Sequence, residues 1–321
     1  MRTVVAFVLA SAAATGAAQP YPTKPVRMIV HYPPGGPTDI VARAVAQKFT
    51  DAWGHQFIID NRPGASGIIG VELVARAVPD GYTLLFGTGG SMAIGPATGM
   101  KLPYNVFKDF APIGLVVINP QILVFNSSFP PNTVRELIAY AKARPGKINY
   151  ASVGMGSPNH LGAEMLKAMG GIDLVHIPYK GTAPAMTEVL AGQVSLMFNS
   201  MPTVLPHVKS GRLKGIAVGS AKRSPAMPDV PTVAESGVAG LAGFDYVTWY
   251  GMLAPAATPK PIIAKLNAEV KKMLDEREMA QRLAVQGSDP APSTPEQLGR
   301  YMLEEQERWR KVIKSAGIKF E

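Results

Sequence analysis

Short apolar runs alternate along this chain with stretches whose apolar residues recur every three or four positions. Val26–Val30 reads as a strand. Ile40, Val41, Ala44, Val45 and Phe49 then fall on one helical face, which Gly54 closes. Strands over 56–59 and 83–86, and a helix running to about Ala77, continue the alternation. Glycine-rich turns over 61–67 and 87–91 punctuate it. The pattern then restarts. Strands are predicted over 113–117 and 122–125, followed by a helix over 134–142 that Thr133 caps. A strand over 149–153 runs into a glycine turn over 154–157 and a helix over 160–169. Strands over 174–177, 194–198 and 215–218 and a helix over 184–191 complete the second set. A late strand over 246–253 precedes two amphipathic helices. Thr258-Pro259 opens the first, and Thr294-Pro295-Glu296-Gln297 opens the second as a capping box with proline in its first turn. Gly317 stands where a terminating glycine belongs. Two similar α/β halves are expected.

Composition changes this picture first at the amino end. Met1-Arg2 is a short positive start, 3–14 is apolar and 15–18 is small. This is the layout of a secretory signal peptide, too short for a permanent span, with cleavage expected after Ala18. No later run is long and apolar enough to cross a bilayer, so an exported, periplasmic, monomeric protein is expected. With 321 residues, 17% of them charged, the chain suits one or two globular domains. The expected division is one lobe over 19–121 plus 240–321 and a second over 122–239. Cysteine is absent, which excludes disulfides and a thiol nucleophile. The net charge of +9 becomes +8 without Arg2. Its basic residues are scattered rather than interleaved with aromatics, which argues against nucleic acid and weakly favours small anions.

The chemistry concentrates in three glycine loops: Pro33-Pro34-Gly35-Gly36-Pro37-Thr38-Asp39, 87–91 and 154–157. None contains lysine or arginine. Backbone N–H groups at a helix start attract anions, glycine permits close approach, and the hydroxyls of Thr38, Ser91 and Ser157 add donors. In such sheets ligands sit where strands feed helix starts, and two facing halves can close on one small molecule. Enzyme signatures fail. Gly154-Met155-Gly156 is followed by Asn159 where a dinucleotide fingerprint needs glycine. Gly89-Gly90-Ser91-Met92-Ala93 lacks the last glycine of a nucleophile elbow. His160 and Glu164 lie one helical turn apart without an evident third ligand, so neither a metal nor another cofactor is expected. His176 reads as a core histidine, and Trp249-Tyr250 as core packing before cleft wall. Asp39 reads as a cap or loop-orienting group, because a carboxylate facing an anion would repel it. Lys180 offers a long-range positive charge.

Further motifs occur in order along the chain: Asp60-Asn61-Arg62-Pro63-Gly64-Ala65, Asp80-Gly81-Tyr82-Thr83, Lys108-Asp109-Phe110-Ala111-Pro112, Tyr150-Ala151-Ser152, His176-Ile177-Pro178-Tyr179-Lys180-Gly181 and Asp229-Val230-Pro231-Thr232-Val233. With the loop at Pro33 they resemble the Bug receptors, the extracytoplasmic solute-binding proteins of tripartite tricarboxylate transporters. The resemblance implies a two-lobed Venus-flytrap fold of the class II periplasmic binding type. It implies a small carboxylate held between the lobes, largely by backbone amides, hydroxyls and waters of the first loop and the 154–157 loop. It also implies membrane permease subunits as partners. The ligand-contacting residues expected are Tyr32, Gly35, Gly36, Thr38 and Asp39 on one side, with Ser91. Opposite them stand Val153, Gly154, Gly156, Ser157 and His160, joined by Tyr179, Lys180 and Asn199. Three positions depart from the family's habit. Tyr32 stands where Phe is frequent, Asn199-Ser200 where an Asp-Asn pair is frequent, and Gly90-Ser91-Met92 where Thr-His is frequent. The acid itself, whether a di- or tricarboxylate, an amino acid or an aromatic acid, is not inherited from any relative. An exported hydrolase acting on a carboxylated substrate, and a receptor that signals to a sensor, are the alternative readings.

Overall fold

The computed structural model describes residues 20–285 and 287–315; the expected signal peptide and Gly317 lie outside the described residues. The first half begins with β1 (Val26–Val30), α1 (Pro37–Trp53), β2 (Phe57–Asn61), α2 (Ile68–Ala75) and β3 (Thr83–Thr88). A wide helical turn, Gly90–Ile94, continues into α3 (Gly95–Ala97). β4 (Phe110–Asn126) follows, then α4 (Val134–Lys142), β5 (Asn149–Ser152), α5 (Pro158–Gly170), β6 (Val175–Pro178) and α6 (Thr182–Leu190). β7 (Leu196–Ser200), α7 (Met201–Lys209), β8 (Leu213–Val218) and β9 (Val247–Pro255) lead to α8 (Lys260–Asp275), α9 (Arg277–Val285), β10 (Asp289–Pro290) and α10 (Pro295–Ser315).

The strands lie in the order β2-β1-β3-β9-β4-β7-β5-β6, with β8 and β10 also paired to β4. β1, β2 and β3 are parallel, as right-handed strand–helix–strand units require, and β9 returns antiparallel beside β3. β4 is one strand, not the two expected over 113–117 and 122–125. Pro120 reads as a break in sequence because it has no N–H to donate. In the structure it marks a change of partner. Residues up to Pro120 pair with β9, and residues from Gln121 pair with β7 and, from Ile122, β8. The two sheet halves therefore share this strand.

Each half has its own core. Val26, Met28, Val30 and Leu84 pack with Val41, Val45 and Phe49 of α1 and Leu266 and Val270 of α8. Leu123, Tyr150, Leu161, Leu166 and Phe198 build the other. α10 packs Leu298 and Met302 on first-half residues and Trp309 on the second-half core, its ring 5.5 Å from that of Tyr246. The helix signals work as expected at α1, where Gly54 is left-handed at φ 68° and its N–H reaches Thr50 O at 2.9 Å. They work at α4 too, where Thr133 Oγ1 accepts from Glu136 N at 3.1 Å. The glycine turn at 87–91 is the end of β3 and the wide helical turn, and α7 and α9 have no counterpart in the sequence reading.

Candidate functional site

Four helix starts converge on one cavity. Gly36, Pro37 and Thr38 bring α1, Pro158 and Asn159 bring α5, Gly181, Thr182 and Ala183 bring α6, and Ser200 caps α7. The first N–H groups of a helix have no partner within it, so this arrangement concentrates partial positive charge on the cavity. Strands supply the floor: Thr88 ends β3, Gln121 lies on β4, Asn199 and Ser200 end β7, and Thr248 and Tyr250 lie on β9. Among the described residues the lining contains no acidic side chain, and its basic one is Lys180, exposed at the rim.

The first loop is held in place by the buried carboxylate of Asp39. It accepts from Gly35 N at 2.9 Å, Arg43 Nε at 2.9 Å and Asn61 Nδ2 at 3.0 Å. Burial pushes this carboxyl up, but the bonds from Arg43, Gly35 and Asn61 outweigh it and hold the group below its ordinary range. Asp39 thus stays ionised while turned back on its own loop, and Gly35 supplies the left-handed φ of 78° that the bend needs. Opposite, Ser152 Oγ accepts from Gly154 N at 3.0 Å and meets His176 Nε2 at 2.5 Å. Ser157 Oγ donates to Gly154 O at 2.6 Å, and Gly156 N donates to His160 Nδ1 at 3.3 Å. Burial, and then His176, push His160 down to about 4, so the imidazole is neutral and its Nδ1 can accept that hydrogen bond. The 154–157 turn is therefore braced largely by groups inside its own half.

Two tyrosines form the wall nearest the floor. Burial pushes the Tyr32 phenol up to about 12, although its bond to Thr88 works the other way. Tyr250 is also raised by burial against bonds to Ser200 and Thr38. Both hydroxyls are protonated at neutral pH and present dipoles rather than charge.

Of the residues expected at the ligand, Tyr32, Gly36, Thr38, Val153, Lys180 and Asn199 line the cavity. Gly154 and Tyr179 line a second hollow that adjoins it through Tyr32, Pro33, Val153, Lys180 and Gly181. Gly35, Asp39, Ser91, Gly156, Ser157 and His160 line neither and act from behind. The reason is clear for Ser91. A Cβ on Gly89 would come within 2.8 Å of Trp249 Nε1, and one on Gly87 within 2.7 Å of Leu253 Cδ1. Glycine there permits the packing of β9, not the approach of a ligand, and Ser91 Oγ donates back to Thr88 O at 3.1 Å. The sequence reading missed Gln121, Asn159, Thr182 and Thr248, and it ranked cleft wall second to core packing for Tyr250. A signal existed for the last two. Side chains alternate along a strand, so the burial of Trp249 in one layer places Thr248 and Tyr250 on the other.

Three lining residues carry a buried polar atom with no partner among the described residues: Gln121 Oε1, Asn199 Nδ2 and Thr248 Oγ1. Buried polar groups are almost always paired, so such a cluster marks a place built to meet something else. The two halves also touch at the rim. Ser66 Oγ donates to Met155 O at 3.1 Å, and a Cβ on Gly181 would lie 3.0 Å from Pro33 Cγ.

Comparison with known proteins places these features in context. The signature of the tripartite tricarboxylate transporter family receptor matches residues 41–318. Protein BugT of Bordetella pertussis is 36% identical over 319 residues, covering 98% of this chain and 97% of that protein. Rpa4515 of R. palustris, solved with adipate, superposes with a TM-score of 0.90 at 35% identity, covering 94% of this chain and 99% of that one. MatC of Rhodopseudomonas palustris, solved with bound malate, gives a TM-score of 0.85 at 33% identity, covering 91% and 100%. The fold is thus the two-lobed α/β fold of these binding proteins.

Proposed function

This chain belongs to the tripartite tricarboxylate transporter receptor family, and on that premise we propose that its cavity is an interlobe cleft that captures a small organic carboxylate and delivers it to the membrane permease of such a transporter. Members of this family are periplasmic substrate-binding proteins, not enzymes. We take the lobes to be 19–121 plus 240–321 and 122–239, the division expected from sequence; the change of partner at Pro120 and Gln121 supports a hinge there. Export to the periplasm rests on the amino-terminal signal and on the family.

The observation that carries this reading is the convergence of the α1, α5 and α6 starts, two lobes contributing, on a cavity free of acidic side chains among the described residues. A carboxylate there is met by backbone N–H groups and by the Thr38 and Thr182 hydroxyls, and needs no arginine. Neighbours solved with adipate and malate support the same ligand class. The acid bridges both lobes and so stabilises the closed form, which is the form a permease can distinguish. The mature protein should melt at higher temperature with at least one acid from a panel of aliphatic, hydroxy-, dicarboxylic and aromatic acids, because a ligand bound only by the folded state stabilises it by mass action. A panel without any shift, confirmed by calorimetry, would remove the proposal.

A further inference from the structure

The carboxylate-receptor reading accounts for the helix starts, and what it leaves over is the floor. There β4 changes partner from β9 to β7, and Gln121, Asn199 and Thr248 lie together at the crossing: Gln121 pairs with Ser200, Ile122 with Asn199, and Asn119 with Thr248. The three side chains are 0%, 1% and 2% exposed, and each keeps one unpaired polar atom. Leaving such atoms unmatched forfeits their hydration without replacing it, so the group that meets them must fit their donor and acceptor character.

Neighbouring bonds set that character. Ser200 N donates to Asn199 Oδ1 at 2.8 Å. A backbone N–H can only donate, so the atom left over on Asn199 is the amide NH₂, a donor. Gln121 Nε2 donates to Ser200 Oγ at 2.7 Å, which leaves Oε1, an acceptor. The Thr248 hydroxyl can do either. No formal charge stands beside them in the lining, and Tyr32 and Tyr250 are neutral as well. A second carboxylate would set acceptor oxygens against Gln121 Oε1 with no cation on the floor. An ammonium would set donors against Asn199 with no carboxylate to neutralise it. An uncharged group that donates and accepts at once suits both.

We infer that this receptor, read as a carboxylate binder, selects acids whose far end carries a hydroxyl or a primary carboxamide, and discriminates against a second carboxylate or an ammonium at that position. Asn199 and Gln121 are the specificity-determining residues.

The test is calorimetric titration of the mature protein with two matched series. The four-carbon series is γ-hydroxybutyrate, succinamate, succinate, γ-aminobutyrate and butyrate. The six-carbon series is ε-hydroxycaproate, adipamate, adipate, ε-aminocaproate and caproate. In at least one series the hydroxy acid or the amide acid should bind about tenfold more tightly than the diacid, the amino acid and the unsubstituted parent of the same length. Asn199→Asp keeps the oxygen that accepts from Ser200 N and replaces only the donor with an anionic oxygen. In that variant the amino acid should overtake the hydroxy and amide acids. A diacid, amino acid or parent that binds the wild-type protein as well as the hydroxy and amide acids overturns the inference and leaves the receptor reading standing. So does an Asn199→Asp protein that folds with an unchanged order. The wild-type ranking decides the matter if that variant does not fold. If no acid of either series binds, the receptor reading for these acids falls, and the inference falls with it.

Discussion

At Gly36 the backbone has φ −80°, open to any residue, and a Cβ would meet Pro33 O and Thr182 Oγ1 at 3.6 Å, ordinary contact distances. The fold can therefore accept a side chain there, but the cavity cannot take a branched one without losing room beside the α1 start. Gly36→Val should keep its melting temperature and lose about tenfold or more in ligand affinity, measured by calorimetry. Equal loss of both would make Gly36 a structural glycine. Gly89 behaves in the opposite way. Its Cβ would overlap Trp249 Nε1 at 2.8 Å, so Gly89→Ala should cost about 1–3 kcal/mol of stability in a denaturant titration, through overpacking. Sequence placed both glycines in equivalent loops. It could not tell a glycine that makes room for a ligand from one that makes room for a tryptophan, because the neighbour lies 160 residues away on another strand. Asp39 was read both as a loop-orienting group and among the ligand contacts; its carboxylate is bound to Gly35, Arg43 and Asn61, which fits the first role.

Among the elements, those with local punctuation were legible. The capping box of α10 forms in both directions, Gln297 N to Thr294 Oγ1 at 3.2 Å and Thr294 N to Gln297 Oε1 at 2.8 Å. Thr294→Ala removes the side-chain half of it and should lower stability by about 1 kcal/mol, read as a fall in the denaturant midpoint at constant slope. A larger loss would mean that Thr294 supports more than its helix. α7 escaped notice because Pro202 and Pro206 interrupt its nine residues. Pro202 falls in the first turn, where no N–H is needed, and tertiary packing of Met201, Val204 and Leu205 keeps the rest helical. β4 was read as two strands for a similar reason. Pro120 ends the ladder with β9 just where the ladder with β7 begins, so its missing N–H coincides with the exchange of partners.

Over the whole molecule, buried neutral imidazoles tie stability to pH. Burial pushes His31 down to about 3, and burial with His176 pushes His160 down to about 4, against an ordinary value of 6.5. The unfolded chain takes up protons on these groups first, from pH 6.5 downwards, while the folded chain does not. Stability is therefore full above that value and falls as pH drops towards the folded values. The melting temperature should decline between pH 6.5 and about 4, and His160→Gln should decline less over the same window. A flat profile in the wild-type protein would show that these histidines protonate without cost in the folded state.

By itself the sequence determined the α/β class, the helix starts that attract an anion, the lack of an assembled catalytic set and the family, because each depends on residues close together in the chain or on motifs in a fixed order. Tyr32, Gly36 and Thr38 were found this way. The tertiary structure alone decided that α6 and α7 join α1 and α5 around one cavity, that Gly156, Ser157 and His160 brace from behind, and that Gln121, Asn199 and Thr248 share a floor. Those three come from strands far apart in sequence, brought side by side only where β4 passes from one half of the sheet to the other. Their unpaired atoms exist only once the strands are paired, which is why the polar character of the floor could not be read from the chain.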